Sequence, residues 1–188
     1  MDRSVGLALL WAPVALSARA ELQLTPTLQE NQGDGVTYRQ LAFSDGTQTI
    51  TYRAPTSWRY FGTANQLVLR PPNNPQAEAT ITKVPLSQPV QFDDDTVKRL
   101  VAEITAAVPK ESKGATVVSQ QRNPVVIDGK DTFLVILEYT VVNQTYSRSI
   151  LFLNRGTEQL RFQLTCPKAD FKDLQATFFR SQFSWENL

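Results

Sequence analysis

Apolar and polar residues alternate along most of the chain, which predicts an antiparallel sheet. The clearest case is a pair of runs, 133–142 and 145–153, on either side of Asn143-Gln144. A two-residue turn there predicts a hairpin with Tyr139 opposite Arg148 on one face and Glu138 opposite Ser149 on the other. Far from the turn both faces are apolar, so the sheet must be covered on both sides.

Other segments fit the same sheet and two helices. Further strands are predicted at 36–43, 47–53, 66–70, 77–84, 116–122, 124–127 and 159–166. An apolar stripe at helical spacing follows Asp93-Asp94-Asp95, and Pro109 ends it. A second helix begins near Ala169. The predicted fold class is α+β, an antiparallel sheet covered by a central helix and a C-terminal helix.

The first twenty residues match a secretory signal peptide. A short start carrying Arg3 precedes an apolar run at 5–16, and Ala18 and Ala20 occupy the small-residue positions before a cut. The run is too short to span a bilayer comfortably, and no cysteine lies at the cut to carry a lipid. We therefore expect an extracytoplasmic protein, periplasmic or secreted and without a stable membrane anchor, cut near Ala20. Residues 21–35, rich in polar residues, glycine and proline, are predicted as a flexible arm.

The composition then limits the kinds of binding and catalysis that the chain can perform. Of 188 residues, 19 are basic and 18 acidic, so the net charge of +1 offers no field to gather nucleic acid. The chain has no histidine, which removes the usual general base and the commonest metal ligand. Its one cysteine, Cys166, shares a strand face with apolar residues and is expected to be buried. No catalytic residue, metal site or cofactor is predicted.

The order of elements resembles the PsbP/DcrB-like family of exported α/β/α sandwich domains. The resemblance rests on the segment 52–58 with its proline and tryptophan, on the aromatic-rich strand 146–153, and on Phe171-Lys172-Asp173-Leu174 with the later Ser181-Gln182-Phe183. It implies one PsbP-like domain over 36–188 and a non-enzymatic accessory role. It supplies no catalytic residue.

Six residues are candidates for contact with a partner or ligand. Long polar or aromatic side chains on neighbouring strands could line a groove or pair with one another, and a tryptophan after Pro55 could anchor the sheet edge or touch a partner. The six are Trp58, Glu138, Tyr139, Arg148, Arg161 and Gln163. The length of the loop at 154–158 leaves open which face carries Arg161 and Gln163. The aspartates at 93–95 fit a helix start better than a cation site.

Three functions remain after these exclusions. The first is a non-catalytic accessory or binding protein that contacts an unidentified protein partner in the cell envelope. The second is a small-ligand or lipid binder, which would need a largely apolar pocket between the sheet and a helix. The third is a hydrolase that uses carboxylates alone, such as Glu138 with an aspartate, and no spacing in the sequence favours it.

Overall fold

The computed structural model describes residues 21–33 and 35–187, which form eleven strands and two helices. The strands are β1 (Leu22–Gly33), β2 (Val36–Asp45), β3 (Gln48–Tyr52), β4 (Arg59–Gly62), β5 (Gln66–Arg70), β6 (Glu78–Pro85), β7 (Lys113–Arg122), β8 (Thr132–Val141), β9 (Gln144–Arg155), β10 (Glu158–Pro167) and β11 (Glu186–Asn187). The helices are α1 (Asp94–Ala106) and α2 (Lys168–Gln182). The signal peptide expected at 1–20 lies outside the described residues.

A seven-stranded antiparallel sheet forms the middle layer. Its order is β4-β5-β6-β10-β9-β8-β7. In its centre Leu134 lies opposite Leu151, and Leu151 lies opposite Phe162 across the next ladder. The alternation along β8, β9 and β10 places a continuous apolar band on the face that carries these three residues, whereas on the other face β8 and β9 are apolar and residues 159–165 of β10 are polar.

The two faces of this sheet are covered differently. Helix α1 packs Leu100 and Ile104 against one face, over residues of β8 and β9 such as Phe133 and Phe152. The opposite face packs against α2, through Phe178, and against a second sheet. The molecule is therefore an α+β sandwich with one helix on each side, as the sequence predicts.

The second sheet was not predicted. It has four strands in the order β1-β2-β3-β11, so the two ends of the described chain meet in it. Trp185, just before β11, joins the two sheets. Its ring centroid lies 5.4 Å from that of Phe43 on the small sheet and 5.3 Å from that of Phe162 on the large one.

Segment 21–35 corrects a prediction, because most of it is strand β1 instead of a flexible arm. Leu22 and Leu24 are fully buried, and the strand pairs antiparallel with β2 along its length. The pairing register shifts between Gln23 and Thr27. Pro26, which cannot donate a ladder hydrogen bond, falls within that irregular stretch, so the strand tolerates it.

The turn of the central hairpin also differs from the prediction. Val142-Asn143, with φ of +46° and +65°, replaces Asn143-Gln144 as the two-residue turn. Tyr139 therefore lies opposite Tyr146 and not Arg148. The register moves by two residues, which is a full period of the strand, so every side chain keeps its predicted face. The strand predicted at 124–127 is absent apart from one isolated bridge between Ile127 and Lys130.

The aspartates at 93–95 begin α1. Asp93 is the N-cap residue, and its carboxylate accepts a hydrogen bond of 2.8 Å from the backbone N–H of Thr96, which lowers the pKa of Asp93. Asp94 and Asp95 lie in the first turn, where negative charge is favourable. Among residues 21–33 and 35–187 no group of acidic or cysteine side chains is arranged to hold a metal ion.

Candidate functional site

The turn between β9 and β10 decides the faces of Arg161 and Gln163, which the sequence left open. Gly156 and Thr157 form a two-residue turn, so Arg161 lies opposite Phe152 and Gln163 opposite Ile150. Phe152 and Ile150 belong to the core under α1. Arg161, Gln163, Tyr139 and Arg148 therefore share the face that carries α1.

Arg148 fixes the C-terminal end of α1. Its Nη1 donates to the backbone carbonyl of Ala107, its Nη2 to the hydroxyl of Tyr139 and its Nε to Oγ1 of Thr165, each at 3.2 Å. The guanidinium carbon lies 5.2 Å from the centroid of the Tyr139 ring. The last turn of α1 carries no basic residue of its own, so Arg148 supplies the positive charge that a helix C-terminus favours.

Arg161 ties α1 to β10. Its Nη1 lies 2.5 Å from Oε1 of Glu103 on the helix, and its Nε donates to Gln159 Oε1 at 2.9 Å. Gln163, half-buried on the same strand, donates to Oγ1 of Thr165 at 3.5 Å. The four residues on this face are therefore adjacent, and the two arginines mark the edge of the area that α1 covers.

The other two candidates lie elsewhere. Glu138 faces the opposite side of the sheet, where its carboxylate accepts from Nζ of Lys168 at 2.7 Å and from Oγ of Ser147 at 3.4 Å. Trp58 is buried and stacks on Phe178 of α2, with 6.2 Å between the ring centroids. The structure thus brings four of the six candidates together and separates Glu138 and Trp58 from them.

Beyond the two arginines neither helix packs apolar side chains on the same sheet face in the described structure, although Val68 and Thr80 there are buried, and we call this region the open face. The core under α1 draws its sheet residues from β7, β8 and β9 and none from β4, β5, β6 or β10. Register and alternation assign the members of the open face. They are Arg59, Phe61, Gln66, Val68, Arg70, Glu78, Thr80, Thr82, Arg161, Gln163 and Thr165.

Phe61 is the prominent apolar residue of the open face. Its side chain is 54% exposed, and the guanidinium carbon of Arg70 lies 5.6 Å from its ring centroid. Arg70 also donates to the carboxylate of Glu78 at 2.8 Å. This group could not be predicted from the sequence, because β4 has only four residues, too few to show the alternation of a strand.

A second group of charges lies at one end of the two sheets, in a cleft of about 700 Å³. Arg155 forms ion pairs with both Asp45 and Glu158, and its side chain is only 10% exposed. Lys83, 3% exposed, places its Nζ 2.8 Å from the carboxylate of Glu21 and 2.6 Å from the carbonyl oxygen of Leu22. We call these five charged residues the cleft cluster.

Burial dominates the electrostatics of Glu158 in this cluster. It raises the pKa of the Glu158 carboxyl, and Arg155 opposes that effect only in part. Asp45, Lys83 and Glu21 also act on Glu158 through their charges, so the five groups are electrostatically coupled. Arg155 and Glu158 flank one turn, but residues 21, 45 and 83 are far from them and from one another in the sequence, so no local pattern could have predicted the cluster.

Neither region presents a catalytic arrangement. Cys166 is fully buried, and burial together with the nearby carboxylate of Asp170 raises the pKa of its thiol to about 12. Asp45 and Glu158 are two acids in one cleft, but the Arg155 guanidinium occupies the space between them. A carboxylate pair that cleaves a bond needs that space for water or substrate.

Space for an apolar ligand is lacking under α2. The gap between α2 and the large sheet, bordered by Leu151, Phe162 and Phe178, has no volume that a water molecule could occupy. A lipid pocket at that position, which the second hypothesis requires, is not formed in this structure.

The geometry defines a class of protein, an α+β sandwich with a polar open face and a charged cleft. No family model and no curated protein sequence matches the chain. Among solved structures it is similar to LpqN of Mycobacterium tuberculosis, described as involved in cell envelope biogenesis, with a TM-score of 0.53 and 13% identity over 88% of this chain and 91% of that chain. It is also similar to cyanobacterial PsbP (CyanoP) from Synechocystis sp. PCC 6803, with a TM-score of 0.49 and 11% identity over 94% of this chain and 98% of that chain.

At this level of identity the likeness to LpqN concerns the fold alone. The α+β sandwich that the sequence predicts, with a helix on each side of an antiparallel sheet, is confirmed as the fold of this chain. Neither helix in the described part of the chain is long and apolar enough to cross a lipid bilayer.

Proposed function

We propose that this chain is an exported, non-catalytic accessory protein of the cell envelope that binds another protein through the open face. The observation that carries the proposal is the half of the large sheet on which neither helix packs, where Phe61 is 54% exposed beside the Arg70 guanidinium. Arginine and aromatic residues are enriched at the centres of protein interfaces. The signal-peptide pattern of residues 1–20 and the described role of LpqN in cell envelope biogenesis both favour the envelope as its place of action.

The charge of the open face favours an acidic partner. Arg59, Arg70 and Arg161 lie on it, with Arg148 at its edge under the end of α1, whereas its carboxylates are Glu78 and the bordering Glu103. The basic excess is local, because removal of residues 1–20 leaves equal numbers of basic and acidic residues in the chain. Guanidinium groups in a fixed arrangement recognise carboxylates specifically.

Site-specific photo-crosslinking in cells that naturally produce the protein tests the proposal. A photoreactive phenylalanine replaces Phe61 or Thr82 on the open face, or Lys172, which is exposed on α2 on the other side of the molecule. We expect one and the same protein to be captured from positions 61 and 82 and not from 172. Capture of the same proteins from all three positions, or of none from the open face, would contradict the proposal.

A matched pair of charge reversals separates the open face from general electrostatics. Arg59→Glu reverses a charge on the open face, and Arg39→Glu reverses one on the exposed hairpin of β1 and β2, where Arg39 pairs with Glu30. We expect Arg59→Glu to abolish the crosslink from position 82 and Arg39→Glu to leave it in place. Equal effects of both changes would point to a non-specific charge effect.

A further inference from the structure

The residue expected to follow the cut, Glu21, lies directly before strand β1. Leu22, two residues beyond Ala20, is fully buried and pairs with Asp45 of β2. Its carbonyl accepts a 2.6 Å hydrogen bond from Lys83, whose ammonium also pairs with Glu21. The backbone nitrogen of Glu21 is therefore next to a fixed residue, and Glu21 itself is one of the residues that line the cleft.

The cleft cluster has one carboxylate more than it has cations. Its carboxylates are Glu21, Asp45 and Glu158, and its cations are Lys83 and Arg155. Arg155 divides its guanidinium between two carboxylates, and Lys83 divides its ammonium between a carboxylate and a carbonyl. A third cation with several N–H donors would complete the cluster, because Asp45 and Glu158, 16% and 17% exposed, share the single guanidinium of Arg155.

We propose that this third cation is the chain's own α-ammonium group, created when the bond between Ala20 and Glu21 is cut, so that the cleft is the binding site of the mature N-terminus. The inference rests on the signal-peptide cleavage that the proposed function includes. The cut is a hydrolysis that a signal peptidase catalyses, and water provides the atoms that the two new chain ends gain. Its OH goes to the carbonyl carbon of Ala20 and its H to the nitrogen of Glu21, which then takes up a proton from solvent at neutral pH.

The cut changes what residue 21 offers to the cleft. Before it the nitrogen is an amide with one donor and no charge, and after it the nitrogen is an ammonium with three donors and a full positive charge. Three carboxylates attract this group, and the cations of Lys83 and Arg155 repel it. The cluster has one carboxylate more than it has cations, so the new charge is expected to stabilise the mature fold at the place where the large and small sheets meet.

The first experiment compares two proteins that differ only at this nitrogen. One begins at Glu21 with a free amine, and in the other the same amine is acetylated, so that residue 21 keeps an uncharged amide nitrogen. NMR titration of the Glu21 amine in the first protein should give a pKa at least about one unit above the ordinary value of about 7.7–8.0 for an α-amino group. An amine that titrates in the ordinary range would overturn the inference.

The pH dependence of unfolding gives an independent readout. Because the folded pKa of the amine is raised, its contribution is complete below pH of about 7.5 and disappears as the pH rises through the folded pKa. The free-amine protein should therefore have the higher melting temperature at pH 6–7, and the two proteins should converge near pH 10. A constant difference, or none at any pH, would contradict the inference.

Two carboxylate variants localise the effect. Glu158→Gln or Asp45→Asn removes the excess charge of the cleft cluster and should lower the amine pKa by half a unit or more. Glu186→Gln, an exposed carboxylate on β11, should leave it unchanged. Equal shifts in all three would show that the amine senses only net charge.

The mass of the protein recovered from its natural envelope separates the two proposals. A chain that begins at Glu21 but has an ordinary amine pKa leaves export standing and removes the cleft as its binding site. A chain that begins elsewhere overturns both the expected cut and this inference.

Discussion

Val142 has a backbone conformation that β-branched residues rarely adopt. It lies at the tip of the central hairpin with φ of +46°, and its side chain is 87% exposed, so it gains almost nothing from packing. Asparagine tolerates positive φ better because its short polar side chain can form local hydrogen bonds. Val142→Asn should raise the free energy of unfolding by about 0.5–1 kcal/mol, which urea denaturation would detect as a higher midpoint with an unchanged slope.

Val142→Thr is the matched control for this change. Threonine is as polar as the exposed turn requires but keeps the branched Cβ that disfavours positive φ. It should therefore leave the midpoint within about 0.5 kcal/mol of the original protein. If threonine stabilises as much as asparagine does, the gain comes from removing an exposed apolar group and not from the backbone.

The same residue explains why the hairpin register could be predicted only in part. Asn143-Gln144 looked like the turn because asparagine favours turns and valine favours strands. The ladder extends instead to Val141 and Gln144, which pairs Thr140 with Thr145 and stacks Tyr139 on Tyr146. Cross-strand pairs of this kind outweigh the preference of a single turn residue.

At the scale of elements, the C-terminal segment after α2 is the connection between the two sheets. Trp185 contacts Phe43, Tyr52 and Phe162, and it is 2% exposed, whereas its neighbour Phe183 is 56% exposed. Trp185→Ala should lower the free energy of unfolding by about 3–5 kcal/mol, because it opens a cavity between the sheets. Phe183→Ala should cost less than about 1 kcal/mol.

Thermal and urea unfolding of the two variants check this difference. A loss of similar size in both would mean that α2 depends on Phe183 through its edge contact with Phe179, which lies 5.6 Å away between ring centroids. A small loss in both would mean that the small sheet adds little to stability.

The elements that could be predicted are those with a sustained period. Strands β8, β9 and β10 and helix α1 each carry enough apolar residues at one spacing to be recognised in isolation. Strands β1, β4 and β11 lack that signal. They are short, polar or interrupted by Pro26, and they form because partners distant in the sequence supply their hydrogen bonds and their cover.

The candidate site likewise has parts that could be predicted from the sequence and parts that could not. The common face of Tyr139 and Arg148 follows from the period of two along each strand. The cap that Arg148 places on Ala107 does not follow, because it depends on where α1 crosses the sheet. The cleft cluster could not be predicted from the sequence at all, since it assembles from strand ends and turns distributed along the chain.

At the scale of the whole molecule, Tyr52 links alkaline pH to stability. Its hydroxyl lies 2.7 Å from Oγ of Ser181, and complete burial raises its pKa far above the ordinary value of about 10. In the folded protein Tyr52 keeps its proton, but in the unfolded chain it loses it near pH 10. The unfolded state therefore binds fewer protons at high pH, and stability present below pH of about 10 is lost as the pH rises above it, by up to about 1.4 kcal/mol per pH unit.

Tyr52→Phe separates this titration from the hydrogen bond. Losing the bond to Ser181 should lower the free energy of unfolding by about 1 kcal/mol at pH 7, where Tyr52 is neutral in both states. Above pH 10 the variant should lose stability less steeply, so its deficit should shrink and then reverse sign. All other ionisable groups are common to the two proteins, so the difference between the two urea midpoints from pH 8 to 11 isolates Tyr52. Tyr38→Phe, at an exposed ring, serves as the control and should run parallel to the original protein. A deficit in Tyr52→Phe that stays constant to pH 11 would show that Tyr52 ionises without unfolding the chain.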